Sequence, residues 1–154
     1  MDDDDAKHGN VRTFQQDAKR LLAVADDCMA HLHLIANDPD ACRCLGTALA
    51  ALVRRSALAG VDEVTRHAEQ LRYLLYGACQ QRCLAGPVLP CAQACLTLLA
   101  WQLELLDPQT CRIGLDEQEQ HRLLDDLTSA LYLAGLRGHP SRSPLAFSRA
   151  AEDP

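Results

Sequence analysis

The feature that most limits what this chain can fold into is the spacing of its apolar residues. Phe14, Ala18, Leu21, Ala25, Cys28, Leu32 and Ile35 recur at intervals of four and three. That spacing draws one continuous stripe down an α-helix. Leu22 and Met29 widen the stripe, while Gln16, Arg20, Asp27 and His31 fall off it and are expected to face water. Helical spacing returns in four further segments. Nowhere does the chain sustain the alternation of apolar and polar residues that a half-buried strand needs. At 154 residues the chain suffices for one domain with a sizeable core. Only 4% of it is aromatic, so Leu, Ala, Val and Cys must fill that core. Small and unbranched side chains favour packed helices over sheets.

The segment boundaries carry their own chemistry. Asn37-Asp38-Pro39 closes the first helix, which is expected from about Val11 to Ala36. Asp38 can cap a second helix whose first turn holds Pro39, where no needed donor is lost. That helix, Pro39 to Ala59, turns Cys42, Leu45, Leu49, Leu52 and Ser56 inward and stops at Gly60. A third helix starts near Asp62, shows Val64, Ala68, Leu71, Leu75 and Ala78, and ends by Gly86-Pro87. The fourth, from about Pro90 to Leu106, is apolar nearly all round and is expected to be the most buried. Asp107-Pro108 ends it, and a loop with Cys111 and Gly114 follows. The fifth helix has Asp116 as its cap and Glu119 three residues later, the spacing of a capping box. Its stripe is Leu124, Leu127, Leu131 and Ala134, and Gly138-His139-Pro140 ends it.

Short links between long helices imply antiparallel neighbours. The expected fold is all-α: an antiparallel four-helix bundle plus a fifth C-terminal helix, spanning residues 11–137. An acidic N-terminus (1–10) and a tail rich in Ser, Pro and Arg (138–154) are expected to be disordered.

The formal charge of -6 argues against binding to a nucleic-acid backbone, which needs a basic face. No apolar run approaches the roughly 18 residues of a membrane span. Met1 to Asp5 is acidic with no apolar segment after it, so a secretory signal is not expected and the chain reads as cytoplasmic. Its eight cysteines are then expected to be reduced rather than a disulfide framework. The sequence holds no phosphate-cradling glycine loop, nucleophile elbow or zinc-protease helix motif. The expectation is therefore no enzyme and no catalytic residue.

Two stretches resemble the histidine-phosphotransfer domain found at the N-terminus of chemotaxis histidine kinases. Phe14 to Leu22 (FQQDAKRLL) is similar to that family's opening helix. Asp38 to Leu75 is similar to its second and third helices, including the Leu-x-x-Ala-Leu run from Leu45 to Leu49. The resemblance covers most of residues 11–136 and implies a four-helix bundle followed by a fifth helix. In the family the second helix carries the phosphorylated histidine, with lysine and glycine three and four residues later and a further glycine at the helix end. With Gly60 as that last glycine, the histidine falls at Ala50, with Val53 and Arg54 at the lysine and glycine. A one-residue shift gives Ala51, Arg54 and Arg55. Alanine offers no nucleophilic nitrogen, so neither register can carry the phosphoryl group. The resemblance implies a module that works by binding a response-regulator receiver or a histidine kinase. The core residues of the second helix leave Arg43, Thr47, Ala50, Ala51 and Arg54 on its opposite side, where arginines could meet an acidic phosphorylation pocket. The plainer reading is a solvated face in which alanine serves as a good helix former.

The cysteines offer a different reading. Cys79 and Cys83 lie one turn apart near the end of the third helix, and Cys91 and Cys95 one turn apart at the start of the fourth. Antiparallel helices joined by a short turn would bring the four thiolates together to hold zinc or copper. Against this, free cysteine commonly packs as a small buried hydrophobe. Cys42 and Cys44 cannot share one helix face. Cys111, in a loop, reads as the exposed, reactive thiol. His31, His33 and His67 read as surface or boundary residues. The pairs Glu63–His67 and His121–Asp125 fall short of the carboxylates a di-metal bundle needs. Trp101 is expected to pack. The binding module without a cofactor leads, with a cysteine-based metal bundle and a helical chaperone or secretion adaptor as alternatives. No motif specifies an oligomeric state.

Overall fold

Asp38 starts the second helix, α2 (Pro39–Ala59), by accepting the Ala41 N–H on its carboxylate at 3.0 Å. Pro39 fills the first turn, and Gly60 ends the helix in the left-handed conformation at φ 76°. Gly60 N–H bonds to Ala57 O, so a carbonyl left free by the last turn is satisfied. These bounds are the ones the sequence implies. The computed structural model describes residues 2–114 and 116–138, with side chains for 10–114 and 116–135. The tail expected over 138–154 lies, from 139 onward, outside the described residues.

The other helices are α1 (Asp2–Leu34), α3 (Asp62–Gln80), α4 (Val88–Glu104) and α5 (Glu117–Gly138). Three bounds differ from expectation. The first helix opens at Asp2, inside the 1–10 stretch read as a disordered N-terminus; acidic residues are favoured in a first helical turn. The third ends at Gln80, not at Gly86-Pro87, because Arg82 takes a left-handed φ of 55° and Cys83 N–H turns back onto Ala78 O. The fourth begins two residues before Pro90, with Pro87 at its cap.

Consecutive helices pack in pairs, α1 on α2, α2 on α3 and α3 on α4, and α4 returns against α1 to close a ring of four. The fifth helix lies against α3 and α4. The result is an all-α, antiparallel four-helix bundle with a fifth helix added. Among the described residues no helix is long and apolar enough to cross a membrane.

The core is a leucine–alanine interior. Leu22, Leu32, Leu45, Leu49, Leu52, Leu71, Leu96, Leu99, Leu103 and Leu127 are all buried. The α1 stripe is rotated slightly from expectation: Leu22 and Met29 are inside, Leu21 is half-buried, and Ile35 is exposed beyond the helix end. Leu106 and Ile113 complete the core from a short element the sequence did not reveal. Here β1 (Leu106–Asp107) pairs antiparallel with β2 (Arg112–Ile113). Two residues per strand are too few to show alternation. The turn closes through Cys111 N–H to Asp107 O at 2.9 Å, and Asp107 Oδ1 accepts Gln109 N–H at 2.9 Å. Gln15 of α1 donates to Leu103 O at 3.0 Å, tying the first helix to the end of the fourth.

Asn37 joins the two halves of the bundle. It sits at φ 59° in the α1–α2 turn, a conformation asparagine tolerates better than other residues with a Cβ. Its Oδ1 accepts Leu84 N–H at 2.8 Å, and its own N–H donates to Leu84 O at 3.3 Å. Leu84 is fully buried in the α3–α4 turn. Asn37→Ala therefore strands a buried donor and is expected to cost about 1–3 kcal/mol. Asn37→Gly keeps the backbone conformation but loses the side-chain bond, so it should recover only part of that loss in urea unfolding. Wild-type stability in Asn37→Ala would show that the clamp contributes nothing.

Candidate functional site

The exposed side of α2 is built by the same periodicity that fills the core. Ala41, Leu45, Ala48, Leu49, Leu52 and Ser56 face inward. Ser56 is satisfied there, donating from Oγ to Val53 O at 2.9 Å and lying 2.7 Å from Thr65 Oγ1. Arg43, Thr47 and Arg54 are exposed, whereas Ala50 and Ala51 are half-buried. Consecutive helical positions are about 100° apart, so the two alanines fall on opposite flanks. Ala50 lines a groove between α2 and α3 of about 460 Å³. Ala51 lines a second groove, between α1 and α2, of about 380 Å³. Arg43 and Thr47 border both. The expected shallow face is thus a crest between two grooves.

The crest is basic on an acidic chain. Along α2, three arginines (Arg43, Arg54, Arg55) stand against one acid (Asp40), a net of +2, while the whole chain carries -6. Arg55 is held by Asp17 of α1 at 2.8 Å, and Arg43 lies 3.4 Å from Asp40. Arg54 makes no ion pair among the described residues.

The four cysteines expected to converge are divided. Cys83 lies beyond the end of α3, in the turn, and its thiol is 3.4 Å from Gln81 O. It is therefore not one helical turn from Cys79 on a shared face. Cys79 instead shares a groove with Cys42 of α2; burial foremost, and then that neighbour, push its thiol up to about 12. Cys95 neighbours Cys91 and Asp126 of α5, and burial first pushes it up to about 12. Among the described residues no three His, Cys, Asp or Glu groups gather around one point. Cys42 and Cys44 turn out to matter because they cannot share a face: each points at a different neighbouring helix. Cys44 meets Cys28 of α1, whose thiol burial and then Cys44 raise to about 12. Cys44 is the exposed cysteine, and Cys111 is half-buried in the hairpin turn. Trp101 does not pack inside; it is 60% exposed and borders a groove with His33, Gln93 and Leu123.

His67 is the largest departure from expectation. It is fully buried, not a boundary residue. It falls three after Val64 and four before Leu71, so its place on the α3 stripe was readable. Its Nδ1 lies 2.9 Å from Gln102 Oε1 and must donate, because a carbonyl oxygen only accepts. Gln102 Nε2 then donates to Gln120 Oε1 at 3.1 Å, linking α3, α4 and α5 through the core. The partners were not legible, since glutamines at core positions give no signal of pairing. Among the described residues, the buried His67 Nε2 has no hydrogen-bond partner. His31 Nε2 lies 3.4 Å from Asp38, and His33 and His121 are exposed.

No family model matches this chain, and neither a curated protein nor a solved structure does.

Burial lowers the His67 pKa from 6.5, opposed in part by the Gln102 hydrogen bond. Above pH 6.5 the ring is neutral in the folded and unfolded chain alike, so it adds no pH dependence. Below 6.5 the unfolded chain takes up a proton that the folded chain resists, and stability falls until the lowered folded value is reached. The slope from this one group cannot exceed about 1.4 kcal/mol per pH unit. His67→Gln should be less stable than wild type at pH 7.5 and should lose less between pH 7 and pH 5, as measured by urea unfolding. Equal slopes in the two proteins would mean that His67 is not the titrating group.

Proposed function

We propose that this chain is a non-catalytic interaction module, a degenerate relative of phosphotransfer bundles that binds a receiver or histidine-kinase domain through α2 and so modulates phosphotransfer. The observation that carries the reading is the basic crest: Arg43, Thr47 and Arg54 exposed on one helix, with alanine in both registers where a phosphoacceptor would stand. A net-positive helix on a net-negative chain favours an acidic partner surface and steers it to one side of the bundle. The antiparallel bundle with a fifth helix is the architecture that the resemblance implies, and this supports the reading. Ala50 and Ala51, one on each flank of the crest, carry only methyl groups beside the arginines. The proposed contact residues are Arg43, Thr47, Ala50, Ala51 and Arg54.

Arg54→Glu tests this directly. Arg54 has no ion pair to lose among the described residues, so the bundle should unfold at an unchanged temperature. Affinity for a purified receiver domain should fall by about tenfold or more, the scale of one lost and one repulsive charge contact. Calorimetric titration that finds no receiver or kinase domain bound by wild type, or equal binding by Arg54→Glu, would overturn the reading.

A further inference from the structure

Helix α2 places Cys42, and α3 places Cys79, in the wall of one groove of about 460 Å³. Both thiols are half-buried and free. Both line that groove from adjacent helices, so one ion entering it can reach two sulfurs. The donor set decides the class of ion. No third His, Cys, Asp or Glu among the described residues joins the pair as a metal ligand. Structural zinc takes four ligands, and calcium and magnesium take oxygen. Two sulfurs alone suit a soft monovalent ion, for which thiolate is the preferred ligand. Two thiolates and one monovalent cation leave one negative charge, and Arg43 and Arg72 border the same groove. Each guanidinium has its own carboxylate as well, Asp40 at 3.4 Å and Glu69 at 2.6 Å.

We propose that Cys42 and Cys79 form a two-thiolate site for a soft monovalent metal ion of the cuprous class. On binding, two S–H bonds break, two sulfur–metal bonds form, and two protons pass to solvent; no electron is transferred. The site stands on the groove and its thiols, whether or not α2 docks a partner.

The test uses the full chain, reduced and free of oxygen, with cuprous ion supplied from its bicinchoninate complex. The ions retained per chain are counted for wild type, Cys42→Ser, Cys79→Ser and the double variant. Each single variant should retain one ion fewer than wild type, and the double variant should lose no more than either single. Cys42→Ala and Cys79→Ala, with helicity checked by circular dichroism, should give the same counts. A double variant that retains as many ions as wild type, or single losses that add, would overturn the shared site.

Discussion

Leucine packing between closely spaced helices is what the rest of the molecule depends on. Each helix contributes a stripe of leucines and alanines, and none is stable without a neighbour to cover that stripe. Few large rings share the interior among the described residues. Phe14 is the buried aromatic among the described residues, while Tyr73, Tyr76, Trp101 and Tyr132 stand 60–74% exposed. Packing of adjacent helices places Cys42 and Cys79 on one groove. Cysteine acts here as a small apolar residue first, and its chemistry is a by-product of where packing puts it.

What could be read from the sequence follows from how local each signal is. The bounds of α2 were legible because Asp38, Pro39 and Gly60 act on the backbone next to them. The α1 stripe was legible to within one residue of rotation, since Leu21 and Leu22 are equally apolar and only the neighbouring helices decide which goes inside. The end of α3 was not legible: Arg82 and Cys83 carry no helix-stopping chemistry, and the turn there is fixed by contact with Asn37. The Leu106–Ile113 hairpin escaped for a similar reason, being held by its burial against the bundle. At the candidate site the exposed arginines were found by periodicity alone. The pairing of Cys42 with Cys79 was not, because a partner across a helix interface is a tertiary fact.

The second helix places arginine and cysteine side chains within one turn. Arg43 stands between Cys42 and Cys44, and those two thiols turn toward opposite neighbours. A contact made at the crest is only one residue away from either groove. Arg43 and Thr47 border both grooves, so the crest and the grooves share these two side chains.

The closure of the ring through Gln15 bears on the order in which the bundle assembles. Most helix pairs join neighbours in the chain, so they can form as soon as the second member exists. The seam between α1 and α4 is different. Gln15 must wait for the carbonyl of Leu103, which lies 88 residues away. During synthesis the first three helices can pack while the fourth is still within the ribosome, leaving one apolar flank of α1 uncovered. That flank is where an unfinished chain is most exposed to wrong partners, and the arrival of α4 is the step that ends the exposure.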